Sequence, residues 1–327
     1  MRLRYRHWTR GEGIEGKIKK EEDFVVRETI DQKFLKRFRR TAKGVSHVSG
    51  KYHMFLLKKK GMTTPEAIEK LSRELKILKE DFGYAGLKDK FSISYQYMTV
   101  KTRIKPLKMR NLEISEIRRI DRPIHPGNLI GNEFMITLHC CKNPSRIFKV
   151  IEELKRRGIP NYFGEQRFGK NKTNHIIGKF LIKRKFKKAL KLINKNCKRD
   201  YRDIREVPKK LLKFFLHSYQ SFIFNETLNK YMEKNNEAFF STVLVIGYDT
   251  ELRKNKIENI IRDIIRKEDT RPEDFRIQEL KLSCRGSERN LFIKIREIDC
   301  KIRKNVGLRF FLPKGSYATV LLREICK

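Results

Sequence analysis

Four segments of alternating character limit the fold more than any other feature. EDFVVRETI (22–30), KYHMFLLKKKG (51–61), SYQYMTVKT (94–102) and NEFMITLHC (132–140) read as strands, because residues at i and i+2 share one face of an extended chain. In the last, Phe134, Ile136 and Leu138 line one face. TTPEAIEKLSRELKILKEDFG (63–83) reads as a helix with a Thr cap, Pro65 in the first turn and a stripe of Ile68, Leu71, Leu75 and Leu78. RIFKVIEELKRRG (146–158) is a second helix, with Ile147, Val150, Ile151 and Leu154 inward and Gly158 as its stop. The strands arrive without regular crossover helices. That favours an α+β fold with an antiparallel sheet over a doubly wound parallel one.

From about residue 170 the composition shifts to long basic helical patterns through 174–233. A short strand over 241–248, a helical stretch over 255–267 and a strand–turn–strand or strand–turn–helix end follow. Residues 31–44 read as a basic loop or short helix. The chain carries 78 Lys and Arg against 39 Asp and Glu, a net charge of +39. Such an imbalance implies self-repulsion that a polyanionic partner relieves, so the charge points to nucleic acid. Aromatics interleave with the cations in KFLKRFRR (33–40) and KKLLKFFLHSY (209–219). That pattern suits base stacking, although each such aromatic is more often a core residue. The six cysteines form no C-x-x-C and read as reduced core residues of a cytoplasmic protein; adjacent Cys140 and Cys141 are expected on opposite faces of a strand. The start has no apolar run of the secretory kind, and the longest uncharged apolar stretch, near 239–248, is too short to span a bilayer.

Chemistry concentrates in FGYAGLKDKFSISYQ (82–96), where Asp89 stands between Lys88 and Lys90 after two glycines. Flanking cations favour a carboxylate's charged form, and an ionised carboxylate in a basic groove can act as base or nucleophile. A solvated turn is the plainer reading of K-D-K by itself. No carboxylate pair lies nearby, which argues against a metal-dependent nuclease. No G-x-x-x-x-G-K-[ST] occurs, so no nucleotide-phosphate loop is expected.

The same stretch resembles the G-x-K-D-x-x-x-x-x-x-Q segment of the TruD family of tRNA pseudouridine synthases. KIKKEEDFVVRE (17–28) resembles its E-D-F-x-V-x-E element, PNYFGEQRFG (160–169) its P-N-Y-F-G-x-Q-R-F-G element, and LPKGSYATVLLRE (312–324) its L-P-x-G-S-[FY]-A-T element. A weaker fifth match is GNEF (131–134). The matches keep the family's order and cover the chain from about residue 13 onward.

The resemblance implies a pseudouridine-synthase catalytic domain with a mainly antiparallel sheet, residues 1–157 and 288–327. It also implies an inserted TruD-specific α/β domain, 158–287, with a cleft between them and the run KFLIKRKFKKALK (179–191) on one wall. The implied reaction isomerises a tRNA uridine, at position 13 in the family's usual case, with no cofactor and no metal. The implied partner is tRNA, and the expected state is a monomer. Asp89 matches the essential aspartate, attacking C1′ or taking the C2′ proton. A family lysine lies near that aspartate. Here the segment is one residue short of the usual spacing and Glu21 or Glu22 stands where proline is common, leaving Lys17, Lys19 and Lys20, of which Lys19 is the choice. Phe24 matches an aromatic near the site. Phe134 matches one that stacks on the uracil, and Asn132 an asparagine that helps place the catalytic loop. Lys88 touches RNA phosphate or braces the turn. Gln166 and Arg167 read as structural. The rival from another class is a non-catalytic RNA chaperone or ribosome-associated factor on the same fold.

If the charge serves RNA, affinity for tRNA falls about 10³–10⁵-fold between about 50 and about 200 mM salt for six to ten phosphate contacts. Filter binding across that range checks it, and a flat response contradicts it.

Overall fold

A computed structural model describes residues 3–31, 50–295 and 297–327. The expected basic segment at 31–44 lies outside the described residues beyond Asp31, as does KFLKRFRR. The chain divides into two compact units. One comprises Gly13–Phe148, Arg296–Gly315 and Cys326–Lys327, and the other Met1–Glu12, Lys149–Ile295 and Ser316–Ile325. By compactness, residues 3–12, 149–157, 288–295 and 316–325 therefore group with the middle of the chain, where the resemblance groups them with the strands.

The first unit is built on a ten-stranded sheet. Its strands are β1 (Glu15–Lys17), β2 (Phe24–Ile30), β3 (Tyr52–Lys60), β4 (Gly83–Tyr84), β5 (Ile93–Val100), β6 (Leu107–Met109), β7 (Leu112–Ile120), β8 (Leu129–Lys142), β9 (Ile298–Ile302) and β10 (Val306–Pro313). The order is β9-β10-β8-β2-β5-β3-β7-β6, with β1 on β8 and β4 on β5. Every pair is antiparallel except β2 with β5. The α+β reading with a mainly antiparallel sheet holds. The β6–β7 hairpin was not expected; its turn is made by Asn111 at φ +65°, a conformation Asn tolerates better than most residues.

Helix α1 (Thr64–Leu75) covers one face of this sheet. It starts on a reciprocal cap: the Glu66 amide donates to Thr63 Oγ1 at 3.3 Å and the Thr63 amide to Glu66 Oε2 at 2.7 Å. Ala67, Ile68 and Leu71 pack against Phe55 and Leu57 of β3, Met98 of β5 and Ile114 of β7. The helix is shorter than the expected 63–83. Lys76 turns left-handed at φ +54° and the Ile77 amide closes back on Ser72 O at 3.2 Å, ending the helix. Leu78 therefore leaves the stripe and is 63% exposed.

The second unit holds most of the helices: α2 (Arg146–Arg157, which begins in the first unit), α3 (Asn174–Ile182), α4 (Phe186–Cys197), α5 (Lys209–Lys234), α6 (Lys256–Lys267) and α7 (Ala318–Ile325). In α2 the expected inward residues are buried, and Gly158 stops the helix at φ +73° with its amide on Leu154 O at 2.8 Å. The 26-residue α5 packs against α3 and α6. Phe215 and Tyr219, from the basic aromatic run, are core residues, with Tyr219 stacked on Phe222 and Phe275. The core reading, the commoner one for such aromatics, holds for these two; the run alternates cations outward with aromatics inward.

PNYFGEQRFG is tied to α5 and to Arg289. The Phe163 amide donates to Asn225 Oδ1 at 2.9 Å and Asn225 Nδ2 donates to Phe163 O at 3.0 Å. The Tyr162 hydroxyl donates to Asn229 Oδ1 at 2.6 Å. Arg289 lies 4.0 Å over the Phe163 ring and donates to the Asn161 carbonyl and side chain. A Cβ at position 164 would sit 2.6 Å from the Tyr317 ring, so glycine is required there for close packing. All six cysteines are free, but only Cys284 is buried while Cys140 and Cys197 are exposed. The core reading thus fails for those two, and Cys140 at φ +56° breaks the alternation of β8. No helix among the described residues is long and apolar enough to cross a membrane.

Asn225→Ala leaves the buried Phe163 amide without its partner, while the Phe163 carbonyl keeps the Tyr5 hydroxyl at 3.2 Å, at an expected cost of about 1–3 kcal/mol. Chemical denaturation checks this; a change below about 0.5 kcal/mol, typical of surface substitutions, contradicts the packing role.

Candidate active site

Asp89 lies on the loop between β4 and β5, and its side chain is exposed. The loop beneath it is held on both sides. Thr64, the first residue of α1, reads the Lys88 backbone twice: its hydroxyl accepts from the Lys88 amide at 2.8 Å and its amide donates to Lys88 O at 3.3 Å. The same hydroxyl donates to Gln96 Oε1 at 2.8 Å, and Gln96 Nε2 donates to Gly86 O at 3.4 Å. The Asp89 carbonyl accepts from Ser92 Oγ at 3.1 Å and Lys59 Nζ at 2.9 Å. Thr64, Gln96, Ser92 and Lys59 are all buried. Four buried donors and acceptors thus hold three residues of backbone, the preorganisation a reacting group needs.

The Lys88 side chain supplies the other tether. Its ammonium is 2.9 Å from Glu28 Oε1 and donates to Asn132 Oδ1 at 2.7 Å. Glu28 and Asn132 face each other across the β2–β8 pair. The Tyr97 amide donates to Glu28 Oε2 at 3.2 Å. Burial pushes the Glu28 carboxyl up, and the Lys88 ammonium and Tyr97 amide oppose it. Lys88 is itself buried, so it braces the loop, one of the two roles open to it from the sequence.

The glycines of this loop are not in the left-handed region. Gly83 is needed for space: a Cβ there would lie 2.4 Å from Thr99 Oγ1 and 2.9 Å from Ile124 O.

Two aromatic candidates meet. Phe24 on β2 and Phe134 on β8 pack edge to face at 5.9 Å, and Phe134 stacks on Phe310 of β10 at 5.4 Å. Phe134 is 7% exposed and Phe24 is half-buried. Asp23, ahead of Phe24, orders the turn that carries the N-terminal lysines. Its Oδ2 accepts from the Lys19 amide at 2.9 Å and the Lys20 amide at 3.0 Å, and Oδ1 meets His139 Nε2 at 2.8 Å. Burial alone would push the Asp23 carboxyl up; these hydrogen bonds hold it below its ordinary range. The Lys19 side chain is exposed. The ammonium placed against the Asp89 backbone is that of Lys59.

The structure thus joins Lys88 to Asn132 and Phe24 to Phe134, and adds Glu28, Lys59, Thr64 and Gln96. Glu28 and Lys59 had a signal in the sequence: each falls on the apolar face of its strand, Glu28 with Val26 and Ile30, Lys59 with Phe55 and Leu57. Thr64 and Gln96 had none, because only long-range pairing shows their partner. Among the described residues no His, Cys, Asp and Glu side chains gather into a group able to hold a metal.

The sequence matches the family model described as tRNA pseudouridine synthase D (TruD) over residues 4–206 and 232–325. A Thermococcus sibiricus protein named "Probable tRNA pseudouridine synthase D" is 28% identical over a 424-residue alignment that covers 99% of this chain and 97% of the relative. A Nanoarchaeum equitans protein of the same name is 30% identical over 379 residues, covering 94% and 97%. Among solved structures, a Methanosarcina mazei protein designated tRNA pseudouridine synthase D (TruD) superposes with a TM-score of 0.71 at 22% identity, over 98% of this chain and 96% of that one. That last likeness concerns the fold.

Lys88→Met strands the buried Glu28 carboxyl and is expected to cost about 3–5 kcal/mol. Adding Glu28→Gln is expected to recover most of that loss in urea unfolding. A single variant as stable as wild type contradicts the tether.

Proposed function

The chain belongs to the TruD family of tRNA pseudouridine synthases, and we propose that Asp89 is the carboxylate with which it isomerises a tRNA uridine to pseudouridine. The single observation that carries this reading is the exposed Asp89 carboxylate on a loop whose backbone is pinned by buried polar side chains. The proposed target is uridine 13, the family's usual site.

The reaction breaks the N1–C1′ bond, turns the base and forms a C5–C1′ bond, with the C5 proton lost and N1 protonated. The uridine must first leave its stack, at a cost of a few kcal/mol. A net charge of +39 supports phosphate contacts that offset that cost. Asp89 then meets the ribose, attacking C1′ as nucleophile or taking the C2′ proton as base. Lys88 and Asn132 place its loop. The aromatic pair Phe24 and Phe134 supports a surface for the flipped base, and Lys19 a phosphate contact at the ordered turn before it. The division into a catalytic part, 1–157 with 288–327, and an insertion, 158–287, is part of the same proposal.

Pseudouridine mapping on unmodified tRNA transcripts tests it. Wild type is expected to convert one position, and Asp89→Asn to lose at least about 10³-fold in rate while tRNA affinity stays within about threefold. No conversion, with tight binding by both proteins, would move the reading to an RNA chaperone.

A further inference from the structure

We propose that Lys59 is the positioning residue for Asp89, holding its main chain from the strand beneath. The inference rests on the reading of Asp89 as the catalytic carboxylate.

Lys59 lies on β3, on the face that carries Phe55 and Leu57, and is 0% exposed. Taking an ammonium out of water costs several kcal/mol, and a methionine would fill the same space without that cost. Packing alone therefore gives no reason for a lysine. Its hydrogen bonds go to two carbonyls, Met62 O at 2.5 Å and Asp89 O at 2.9 Å. Neither acceptor neutralises the charge.

The groups that act on this ammonium are Asp89, Lys88 and Glu66. Two of them are committed elsewhere: Lys88 to Glu28 and Asn132, and Glu66 to the Thr63 amide and Lys90. The Asp89 carbonyl is therefore the contact through which Lys59 reaches the catalytic loop. A lysine on the strand under the loop is a different residue from Lys19, the N-terminal lysine that the family resemblance puts forward.

The position has a consequence in pH. Burial pushes the Lys59 ammonium down to about 8; Asp89 and Glu66 pull it back, and Lys88 pushes with burial. Above that value the ammonium is neutral and its charge-assisted hold on the Asp89 carbonyl is gone. Activity should therefore be full below it and decline as pH rises through it.

The experiment is single-turnover pseudouridine formation, with tRNA affinity measured in parallel, for wild type, Lys59→Met and Lys59→Arg from about pH 6 to about pH 9.5. Wild-type rate is expected to fall with an alkaline midpoint near 8. Lys59→Met should lose about 10²-fold in rate near neutrality, the scale of a misplaced reacting group, with affinity changed less than about threefold. Lys59→Arg should recover at least a tenth of the wild-type rate and lose the alkaline limb over this range, since a guanidinium is a stronger base than an ammonium. Lys59→Met within about threefold of wild type, or an arginine variant with the wild-type midpoint, overturns the proposal. If neither variant folds, the wild-type profile decides: a rate flat to about pH 9.5 overturns it, and a limb near 8 supports it. A wild type that converts no tRNA overturns the functional reading instead, so the two failures are distinct.

Discussion

The candidate site depends on one buried ammonium. Lys88 Nζ lies 2.9 Å from Glu28 Oε1 and 2.7 Å from Asn132 Oδ1, two residues that face each other on adjacent strands. A lysine that must reach that rung brings its own loop onto the sheet, and the next residue is Asp89. Burying such a pair gains little net stability, because desolvation offsets the attraction. Its value here is geometric, since a lysine paired at that rung excludes other placements of the loop. The Thr64, Gln96 and Ser92 contacts then set the loop's height above the sheet.

Much of this was legible in the sequence, and the rest was not, for identifiable reasons. Period-two spacing located β2, β5 and β8, where burial alternates along much of the strand, while β3 showed as a short apolar run and is buried on both faces from His53 to Leu57. The order of motifs located Asp89. It did not reveal where α1 stops, since Lys76 enters the left-handed region without a glycine to announce it. The β6–β7 hairpin was hidden for a similar reason, its turn being Arg-Asn rather than Asn-Gly. Glu28 and Lys59 were visible as charged residues on apolar faces, but the spacing said nothing of what they met. The partners that tie them to the Asp89 loop are tens of residues away.

The middle of the chain shows the same division. A run such as KKLLKFFLHSY was compatible with a stacking surface or with a solvated helix whose aromatics are buried. Helix periodicity with Phe215 and Tyr219 inward chose the second. The lysines of that helix remain outward, so the excess charge and the aromatic content serve different ends. The PNYFGEQRFG element likewise acts by packing, through Asn161, Phe163 and the buried guanidinium of Arg289, which burial lowers to about 10.

The most direct test of a preset loop is the crystal structure of the protein bound to a tRNA carrying 5-fluorouridine at the target position. The account predicts an Asp89 carboxylate oxygen within about 3.5 Å of C1′ or C2′ of that nucleotide, the separation of reacting atoms held for attack. It also predicts that Lys88 remains on Glu28 and Asn132. A different carboxylate at the ribose, or an Asp89 loop that has left those partners to reach it, would contradict it.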